Sequence, residues 1–433
     1  MNRNEEYSQK AHKYIPAGAH TYSRTDEVFP GNAPRIIEKG KGAYCWDMDG
    51  NCFIDYGMAC RSVTIGYNYD RISKAAIEQI LNGNTATKAS KIEVEAAETL
   101  CNLVPWIDMV KFAKNGSTVT SAATKLARAY TGRKYIARCK EHAFFSYDDW
   151  FIGSTVMNAG VPEDIQNLTV QFSFNNIESV KSMFEKYKNQ IACLIMEPCD
   201  TEEPKDDFLR KVGEICKENG TVYILDEMIT GFRWDLKGAC QYYGVKPDLV
   251  TYGKGMANGF SVAALGGKRE IMEQGALIPG KERVFLISTT HGAEMSSLGA
   301  FVETMKVYQE ENVTEHIWKM GHRLCQELRD LTKEYGVSNL LYTEGAECSP
   351  NLVVCDKNGT PSFEYRTVFL QEMINNGILM PYIAIAYQHG EKEIDATLDA
   401  ARKAVKIYVD SLNGDVNSFI TGNIIKPVFR KYN

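Results

Sequence analysis

Short apolar runs alternate with amphipathic segments through the middle of the chain. The apolar runs are MVKFA (109–113), YIARC (135–139), ACLIMEP (192–198), TVYILDE (221–227) and DLVTYGK (248–254). Segments with helical periodicity lie between them, such as SAATKLARAYTG (121–132) and DFLRKVGEICKENG (207–220). Continuous apolar runs are typical of strands that are buried on both faces. Their alternation with helices predicts an α/β fold with a mainly parallel sheet covered by helices on both sides.

Different patterns flank this region. Residues 35–57 have the pattern of short strands with a turn at Asp49-Gly50-Asn51, which indicates a hairpin. After about residue 300, long amphipathic helices are followed by strands and a further helix, as in a smaller α+β domain. We therefore predict three segments. They are an N-terminal segment that contributes to the small domain (1–65), a large α/β domain (66–300) and a C-terminal small α+β domain (301–433).

Composition and charge narrow the classes of partner. The net charge of the 433 residues is −6, so neither nucleic acid nor an anionic membrane is indicated as a partner. The twelve cysteines are scattered and include no CxxC pair, which indicates that their thiols are reduced. Cys139 and His142 form a single CxxH motif, but the second pair of ligands that a zinc site needs is absent from the sequence. The N-terminus lacks the apolar core of a signal peptide, and no run approaches the roughly 20 apolar residues of a membrane span. We expect a cytoplasmic protein without a metal.

Two of the apolar runs end in ionisable residues. In ILDEMITGF (224–232), Asp226 and Glu227 follow a strand at the sheet edge where open α/β folds bind ligands. Taken alone, this pair is equally typical of a Mg²⁺ site or a helix cap. In DLVTYGKGMANGF (248–260), Lys254 stands between Gly253 and Gly255. A lysine at a strand end is usually a surface residue, but glycines on both sides would let a bulky planar ligand approach the backbone.

A third strand end has the pattern of an anion site. In FAKNGSTVTSAATKLARAYTG (112–132), a strand is followed by an Asn115-Gly116-Ser117-Thr118 turn and a helix. Backbone N–H groups, the helix dipole and two hydroxyls suit a phosphate, although an ordinary helix N-cap has the same pattern. A phosphate cradle, a carboxylate and an imine-forming lysine are together the parts of a pyridoxal-5′-phosphate site. We therefore predict that Lys254 holds this cofactor as a Schiff base and that Asp226 binds its ring nitrogen.

The segment 224–267 resembles the signature of class III (subgroup II) aminotransferases. It is most similar to the glutamate-1-semialdehyde 2,1-aminomutases, and the resemblance extends to IPAGAHTYSR (15–24), residues 35–56, LARAYTGR (126–133) and IACLIMEP (191–198). It implies the fold-type I architecture of pyridoxal-phosphate transferases, in which a large domain with a seven-stranded type of sheet is joined by a smaller α+β domain. It also implies a homodimer with a shared active site.

The resemblance implies roles for individual residues. Beside Lys254 and Asp226, Met228 would pack on a face of the cofactor ring and Glu197 would lie near its 3′-oxygen. Gly116, Ser117 and Thr118 would hold the phosphate, with Thr289 or, in a shifted register, Thr290 reaching it from the neighbouring subunit. Arg24 falls where the aminomutases bind the substrate carboxylate, and Arg61 is a second cation that could serve this purpose.

The chain also departs from the family pattern. KEHAFFSYDDW (140–150) replaces the usual motif of the ring-stacking aromatic, so either His142 or Phe144 would stack. The phosphate turn and the segment after Lys254 are also altered, and MPYIAIAYQHG (380–390) lacks an expected acidic residue. We therefore predict an aminotransferase that moves an amino group from an amino-acid donor to a small aldehyde or keto acceptor. The alternative is a glutamate-1-semialdehyde 2,1-aminomutase that forms 5-aminolevulinate. A non-catalytic protein with this fold is disfavoured by the intact Lys254 and Asp226.

Overall fold

The structure, a computed structural model, describes residues 2–432. Its strands are β1 (Ile37–Lys41), β2 (Tyr44–Asp47), β3 (Cys52–Asp55), β4 (Met109–Ala113), β5 (Tyr135–Cys139), β6 (Thr169–Phe172), β7 (Ile191–Met196), β8 (Val222–Asp226), β9 (Leu249–Tyr252), β10 (Ala263–Gly267), β11 (Leu341–Glu344), β12 (Asn351–Val354) and β13 (Ile378–Leu379). Within the described residues, no helix is both long and apolar enough to cross a membrane.

Helices separate most of these strands. They are α1 (Arg3–Tyr14), α2 (Met58–Arg61), α3 (Asp70–Leu81), α4 (Lys91–Leu103), α5 (Gly116–Thr131), α6 (Asp149–Ile152), α7 (Glu163–Gln166), α8 (Ile177–Lys186), α9 (Phe208–Glu218), α10 (Ala239–Tyr242), α11 (Arg269–Met272), α12 (Met295–Glu310), α13 (Val313–Glu334), α14 (Phe363–Asn375) and α15 (Glu391–Leu412). Short 3₁₀ turns include Tyr22–Arg24 and Lys254–Ala257.

The chain divides into two compact units. The small unit contains residues 1–69 and 313–428, and the large unit contains residues 70–312 and 429–433. The later of the two sequence-based boundaries lay after residue 300, whereas the structure divides the chain after residue 312. The difference arises because α12 packs against α3 and α4 and so belongs to the large unit.

The large unit is built on a seven-stranded sheet with the order β4-β10-β9-β8-β7-β5-β6. The five strands from β9 to β6 are parallel, and β10 runs antiparallel to both of its neighbours. Every residue of the central strands β7 and β8 is buried, which explains their continuous apolar sequences. The predicted mainly parallel α/β sheet is therefore confirmed.

Two strands of this sheet were missed by the sequence pattern. The β6 sequence TVQF forms a partly exposed edge strand, and the β10 sequence AALGG is made largely of residues with low β propensity.

The helix α5, by contrast, has recognisable capping residues at both ends. Asn115 caps its first turn, and Gly132 ends it in a left-handed conformation with φ of 67°.

The small unit combines both ends of the chain in one four-stranded sheet, with the order β1-β2-β3-β13. The predicted hairpin is confirmed, since β2 and β3 pair antiparallel around a turn in which Gly50 has a φ of 87°. β13 joins the sheet by parallel pairing of Ile378 with Ile54. The helices α13, α14 and α15 pack together in the same unit, and β11 and β12 form a separate two-stranded sheet.

Candidate active site

Four neighbouring parallel strands of the large unit place candidate side chains at the same edge of the sheet. In sheet order, Lys254 follows β9, Asp226 ends β8, Glu197 follows β7 and His142 follows β5. The carboxyl ends of parallel strands form the ligand-binding edge of open α/β sheets. The structure therefore brings these predicted residues into one row, although they are up to 112 positions apart in the sequence (254 − 142 = 112).

Asp226 is buried and held in a fixed orientation. Its Oδ1 accepts hydrogen bonds from the Met228 N–H at 3.0 Å and from the Thr251 hydroxyl at 2.8 Å. Thr251 is in place because β8 and β9 pair Asp226 with Thr251. Burial raises the pKa of the Asp226 carboxyl to about 6, although the hydrogen bond from Thr251 and the positive charge of Lys254 act in the opposite direction. A buried carboxylate of this kind is stabilised by a cationic partner, such as a protonated ring nitrogen.

The adjacent Glu227 has a structural role. It is buried, and its carboxylate accepts hydrogen bonds from the Thr230 hydroxyl at 2.5 Å and from the N–H groups of Ala239 and Cys240 at 2.8 and 2.7 Å. These contacts cap the first turn of α10. Of the two interpretations of the Asp-Glu pair, the helix cap therefore applies to Glu227. Residues 2–432 contain no group of three or more His, Cys, Asp or Glu side chains placed to hold a metal ion.

Lys254 has a strained backbone. Its φ is 40°, in the left-handed region that residues other than glycine rarely adopt. Its side chain is partly buried, whereas Gly255, Met256 and Ala257, which complete the same 3₁₀ turn, are fully buried. Strain of this type costs about 1–3 kcal/mol and is concentrated at functional sites. The glycine on the N-terminal side, Gly253, is extended with φ of −178°.

Met228 connects the lysine strand to the predicted phosphate turn. A β-carbon on Gly116 would lie 2.9 Å from the Met228 sulfur, and a β-carbon on Gly253 would lie 2.6 Å from it. Both distances are too short for real contacts, so glycine is required at both positions while Met228 keeps its place. The structure thus brings together Gly116, Gly253 and the residue predicted to pack on the ring.

The turn 115–118 serves as a helix N-cap and also presents N–H groups to an anion, the two roles that its sequence suggested. The Asn115 side chain caps α5 by accepting from the Thr118 N–H at 3.0 Å and from the Thr118 hydroxyl at 3.1 Å. Ser117 is buried, and its hydroxyl oxygen accepts from the Tyr147 N–H at 3.1 Å. The helix itself offers no carbonyl to the N–H groups of Gly116 and Ser117 in its first turn. These N–H groups and the positive end of the helix dipole suit an anion such as phosphate.

The two candidates for ring stacking differ in environment. His142 is buried, and its Nδ1 accepts from the Glu197 N–H at 3.0 Å, so the proton of the neutral ring is on Nε2. Burial lowers the pKa of His142 to about 4, and Nε2 has no hydrogen-bond partner within residues 2–432. Phe144 is 48% exposed and contacts Phe151 edge-to-face at 5.7 Å between ring centroids. A buried N–H donor without a partner favours a bound molecule at His142. The choice between the two residues stays a prediction.

The loop that precedes α12 contains the candidates for a contact from a second subunit. Thr289 and Thr290 are both exposed. The Thr289 carbonyl accepts from the Gly292 N–H at 3.1 Å, and a β-carbon on Gly292 would lie 2.5 Å from the Thr289 hydroxyl oxygen. This close approach fixes the turn that presents the two threonines.

The two arginine candidates belong to the small unit. Arg24 is exposed at the end of the 3₁₀ turn Tyr22–Arg24, and Arg61 is partly buried at the end of α2. The four residues of α2 have φ values of 40°, 49°, 61° and 65°, so α2 is a left-handed turn without glycine. Such a conformation costs about 1–2 kcal/mol per residue. Nothing in the sequence pattern predicted it.

The donor set of the large unit fits pyridoxal phosphate. It provides a buried acid for the ring nitrogen, an amine just after the next strand, two glycines that leave room for Met228 and a helix N-terminus for the phosphate. The sequence did not reveal the contribution of Thr251. Thr251 could have been predicted by pairing the ends of the two adjacent strands β8 and β9, because this pairing places Thr251 beside Asp226.

Comparisons with known proteins agree with this donor set. The family model described as aminotransferase class-III matches residues 27–384. The chain is 32% identical over 420 residues to the glutamate-1-semialdehyde 2,1-aminomutase of Francisella philomiragia, with 91% of this chain and 96% of the relative covered. It is 31% identical over 433 aligned positions to the enzyme of the same name from Persephonella marina, with 94% and 99% covered.

Solved structures give the same fold. The FumI protein of Sphingopyxis sp. MTA144, in a form described as its PLP internal aldimine, matches with a TM-score of 0.86 and 25% identity, covering 96% of this chain and 100% of that chain. A glutamate-1-semialdehyde aminomutase from Pseudomonas aeruginosa matches with a TM-score of 0.82 and 17% identity, covering 94% of each chain. The latter similarity concerns the fold alone.

Proposed function

The chain belongs to the class III aminotransferases, which are pyridoxal-phosphate enzymes, and on this basis we propose that it moves an amino group from an amino-acid donor to a small aldehyde or keto acceptor. The observation that carries the proposal is the pair of adjacent strand ends at Asp226 and Lys254. Asp226 is buried and oriented by Thr251, and Lys254 is close enough for its charge to lower the pKa of the Asp226 carboxyl.

When bound, pyridoxal phosphate supplies a ring that accepts electrons from the substrate carbon. Asp226 would hold the ring nitrogen in its protonated form, because a buried and ionised carboxylate stabilises a cation beside it. Lys254 would hold the cofactor through Nζ, and its free amine would move a proton to and from the substrate carbon. Met228 would pack on the ring, Glu197 would lie on the side of the 3′-oxygen, and His142 or Phe144 would lie near the ring.

The remaining candidates are assigned to the phosphate and the substrate. Gly116, Ser117 and Thr118 are proposed to bind the phosphate through the first turn of α5, with Thr289 contributed by a second copy of the chain. This arrangement makes the active site a feature of a homodimer. Arg24 and Arg61 are the candidates for anionic groups of the substrate, because carboxylates are bound well by guanidinium groups.

An amino-donor half-reaction tests the proposal. Purified enzyme reconstituted with the cofactor is mixed with glutamate or with alanine, and its visible spectrum is followed without any acceptor. We expect the cofactor to be converted to its amine form by at least one donor, and the acceptor product to form when an aldehyde or keto acid is added. The Lys254→Ala variant is the control and should convert at least about 10³-fold more slowly. A wild-type spectrum that does not change with any amino donor would refute the proposal.

The second candidate function is the aminomutase reaction. It is favoured by relatives named glutamate-1-semialdehyde 2,1-aminomutase at 31–32% identity over more than 90% of the chain. The resemblance of IPAGAHTYSR (15–24) to that family also implies a carboxylate-binding role for Arg24. Against it stands the altered segment 380–390, which lacks the expected acidic residue. Formation of 5-aminolevulinate from glutamate-1-semialdehyde without an added amino donor would select the aminomutase over the aminotransferase.

A further inference from the structure

The left-handed turn α2 is held in place by a buried acid. The Oδ1 atom of Asp55 accepts from the N–H groups of Gly57 and Met58 at 2.7 and 3.2 Å, and its Oδ2 accepts from the Tyr67 hydroxyl at 2.6 Å. Within the turn, the Arg61 N–H donates to the Gly57 carbonyl at 3.0 Å. Because Met58 is fully buried, the unfavourable backbone is imposed from both sides. The result is a fixed position for the α-carbon of Arg61.

The side chain of Arg61 is oriented by an aromatic ring. Its guanidinium carbon lies 4.3 Å from the centroid of the Tyr382 ring. Arginine favours lying flat on an aromatic face, and in that arrangement its N–H groups point outward in the plane of the guanidinium, where they match the two oxygens of a carboxylate. An arginine held in this way therefore binds a planar anion with two oxygens better than a spherical anion.

Tyr382 belongs to the segment 380–390, in which the sequence departs from the aminomutase pattern. This segment is built together with the turn, since Ala384 and Ala386 share a buried cluster with Met58 and Val63. The Ala384 N–H also donates to the Tyr56 carbonyl at 2.9 Å. Arg61 and the altered segment 380–390 are therefore parts of one arrangement.

The other candidate cation lies near the acid that supports this arrangement. Burial raises the pKa of the Asp55 carboxyl, whereas the charge of Arg24 and the three hydrogen bonds lower it. Arg24 is exposed and close enough to Asp55 to stabilise its charge. Of the two cations, Arg61 is the one whose guanidinium lies over an aromatic ring, the geometry suited to a planar anion.

We propose that Arg61 binds the carboxylate of the amino-acid donor and that Tyr382 is the residue that positions it. This inference rests on the proposed aminotransferase function. It assigns the selection of carboxylate-bearing donors to the turn Met58–Arg61 together with Tyr382.

The first test measures anion binding without turnover. Propionate, which is alanine without its amino group, is titrated calorimetrically into the cofactor-loaded enzyme and its variants. We expect Arg61→Gln to weaken propionate binding about 10- to 100-fold, because a charge-assisted bidentate pair is lost. Arg61→Lys should restore only part of the affinity, since an ammonium does not make the planar pair. Arg24→Gln should have a smaller effect than Arg61→Gln.

The matched control for these arginine changes is Arg402→Gln. Arg402 is an exposed arginine of the same unit, where it pairs with Glu334 at 2.9 Å, and its loss should leave propionate binding unchanged. Unchanged propionate affinity in Arg61→Gln, or a larger effect in Arg24→Gln, would overturn the inference. Inorganic phosphate that binds more tightly than propionate in an Arg61-dependent manner would overturn the assignment to a carboxylate.

A second test separates positioning from folding. Tyr382→Phe keeps the ring and should bind propionate within about threefold of the wild type, whereas Tyr382→Leu removes the stacking surface and should weaken binding about 3- to 10-fold. In the half-reaction with alanine, Arg61→Gln should raise the half-saturating concentration about tenfold or more and change the limiting rate by less than about threefold. Equal propionate affinities for both Tyr382 variants would refute the role of the ring.

The inference and the proposed function fail in different ways. If the wild type reacts with no amino donor, the aminotransferase proposal is wrong whatever the propionate titrations show. If the wild type reacts with alanine but Arg61→Gln keeps the affinity for propionate and the half-saturating concentration of alanine, the assignment of Arg61 alone is wrong.

Discussion

The carboxyl edge of the seven-stranded sheet and the turn Met58–Arg61 position functional side chains in opposite ways. Asp226 ends a regular strand, and its orientation follows from ordinary pairing with Thr251 on the next strand. Arg61 ends four consecutive residues in the left-handed region, which is maintained by the contacts of Asp55, by the bond from the Arg61 N–H to the Gly57 carbonyl and by the burial of Met58. Regular strand pairing thus positions Asp226 of the proposed cofactor site, where strain is found at Lys254, whereas all four residues of the turn that carries Arg61 are strained.

The largest expected effect is a loss of turnover, and it should separate the roles of the neighbouring acids Asp226 and Glu227 at the sheet edge. Asp226→Asn should lower turnover about 10²- to 10³-fold with little loss of stability, because it removes charge stabilisation at the ring nitrogen. Glu227→Gln should lower the free energy of unfolding by about 1–3 kcal/mol, because an amide NH₂ group replaces one carboxylate oxygen and cannot accept from the Ala239 or the Cys240 N–H. Turnover per folded molecule and urea unfolding measure the two effects. Equal losses of turnover would contradict the separate roles.

The next effect concerns pH. The pKa of Asp226 in the folded chain is about 6, above its ordinary value of 3.8, so between these values the folded state holds a proton that the unfolded state has lost. The stability due to Asp226 is therefore complete below about pH 4 and decreases as pH rises to about 6, by about 3 kcal/mol in total. Urea unfolding of the cofactor-free protein, compared with Asp226→Asn, measures this difference. A wild-type stability that rises with pH relative to the variant would contradict it.

A smaller effect tests the contact between the phosphate turn and the ring-packing residue. Gly116→Ala should cost about 1–2 kcal/mol of stability and weaken cofactor binding, because the new methyl group would collide with the Met228 sulfur. Met228→Val shortens that side chain, so the double variant should recover most of the loss. Unfolding measurements on both single variants and the double variant give the coupling energy. Additive losses would show that the two residues do not contact each other.

The difference between the two regions also explains what the sequence could predict. The apolar runs located β4, β5, β7, β8 and β9, and therefore the strand ends that carry Asp226, Glu197 and Lys254. The structural role of Glu227 was left open, because its partners Ala239 and Cys240 lie in a later helix with no distinctive pattern. The left-handed turn was not predicted, since Met58, Ala59 and Cys60 are not residues that favour positive φ. The contact of Arg61 with Tyr382 depends on that turn.

The smallest expected effect is a change in the free energy of unfolding, and its sign tests whether the turn Met58–Arg61 is left-handed. Ala59→Gly should raise the free energy of unfolding by about 0.5–1 kcal/mol, because glycine adopts the φ of 49° and ψ of 53° without steric cost. Ala75→Gly in the regular helix α3 is the matched control and should lower it by about 1 kcal/mol. Urea unfolding of both variants decides the sign. A loss of stability in both would show that the turn is not left-handed in solution.

Locating the covalent attachment of the cofactor tests the proposed site most directly. The cofactor-loaded enzyme is treated with borohydride, which makes an imine link permanent, and is then digested and analysed by mass spectrometry. We expect the added mass of pyridoxal phosphate on the peptide that contains Lys254 and no added mass in the Lys254→Ala protein. Modification of a different lysine in the wild type, or the absence of any modified peptide, would contradict the assignment of Lys254.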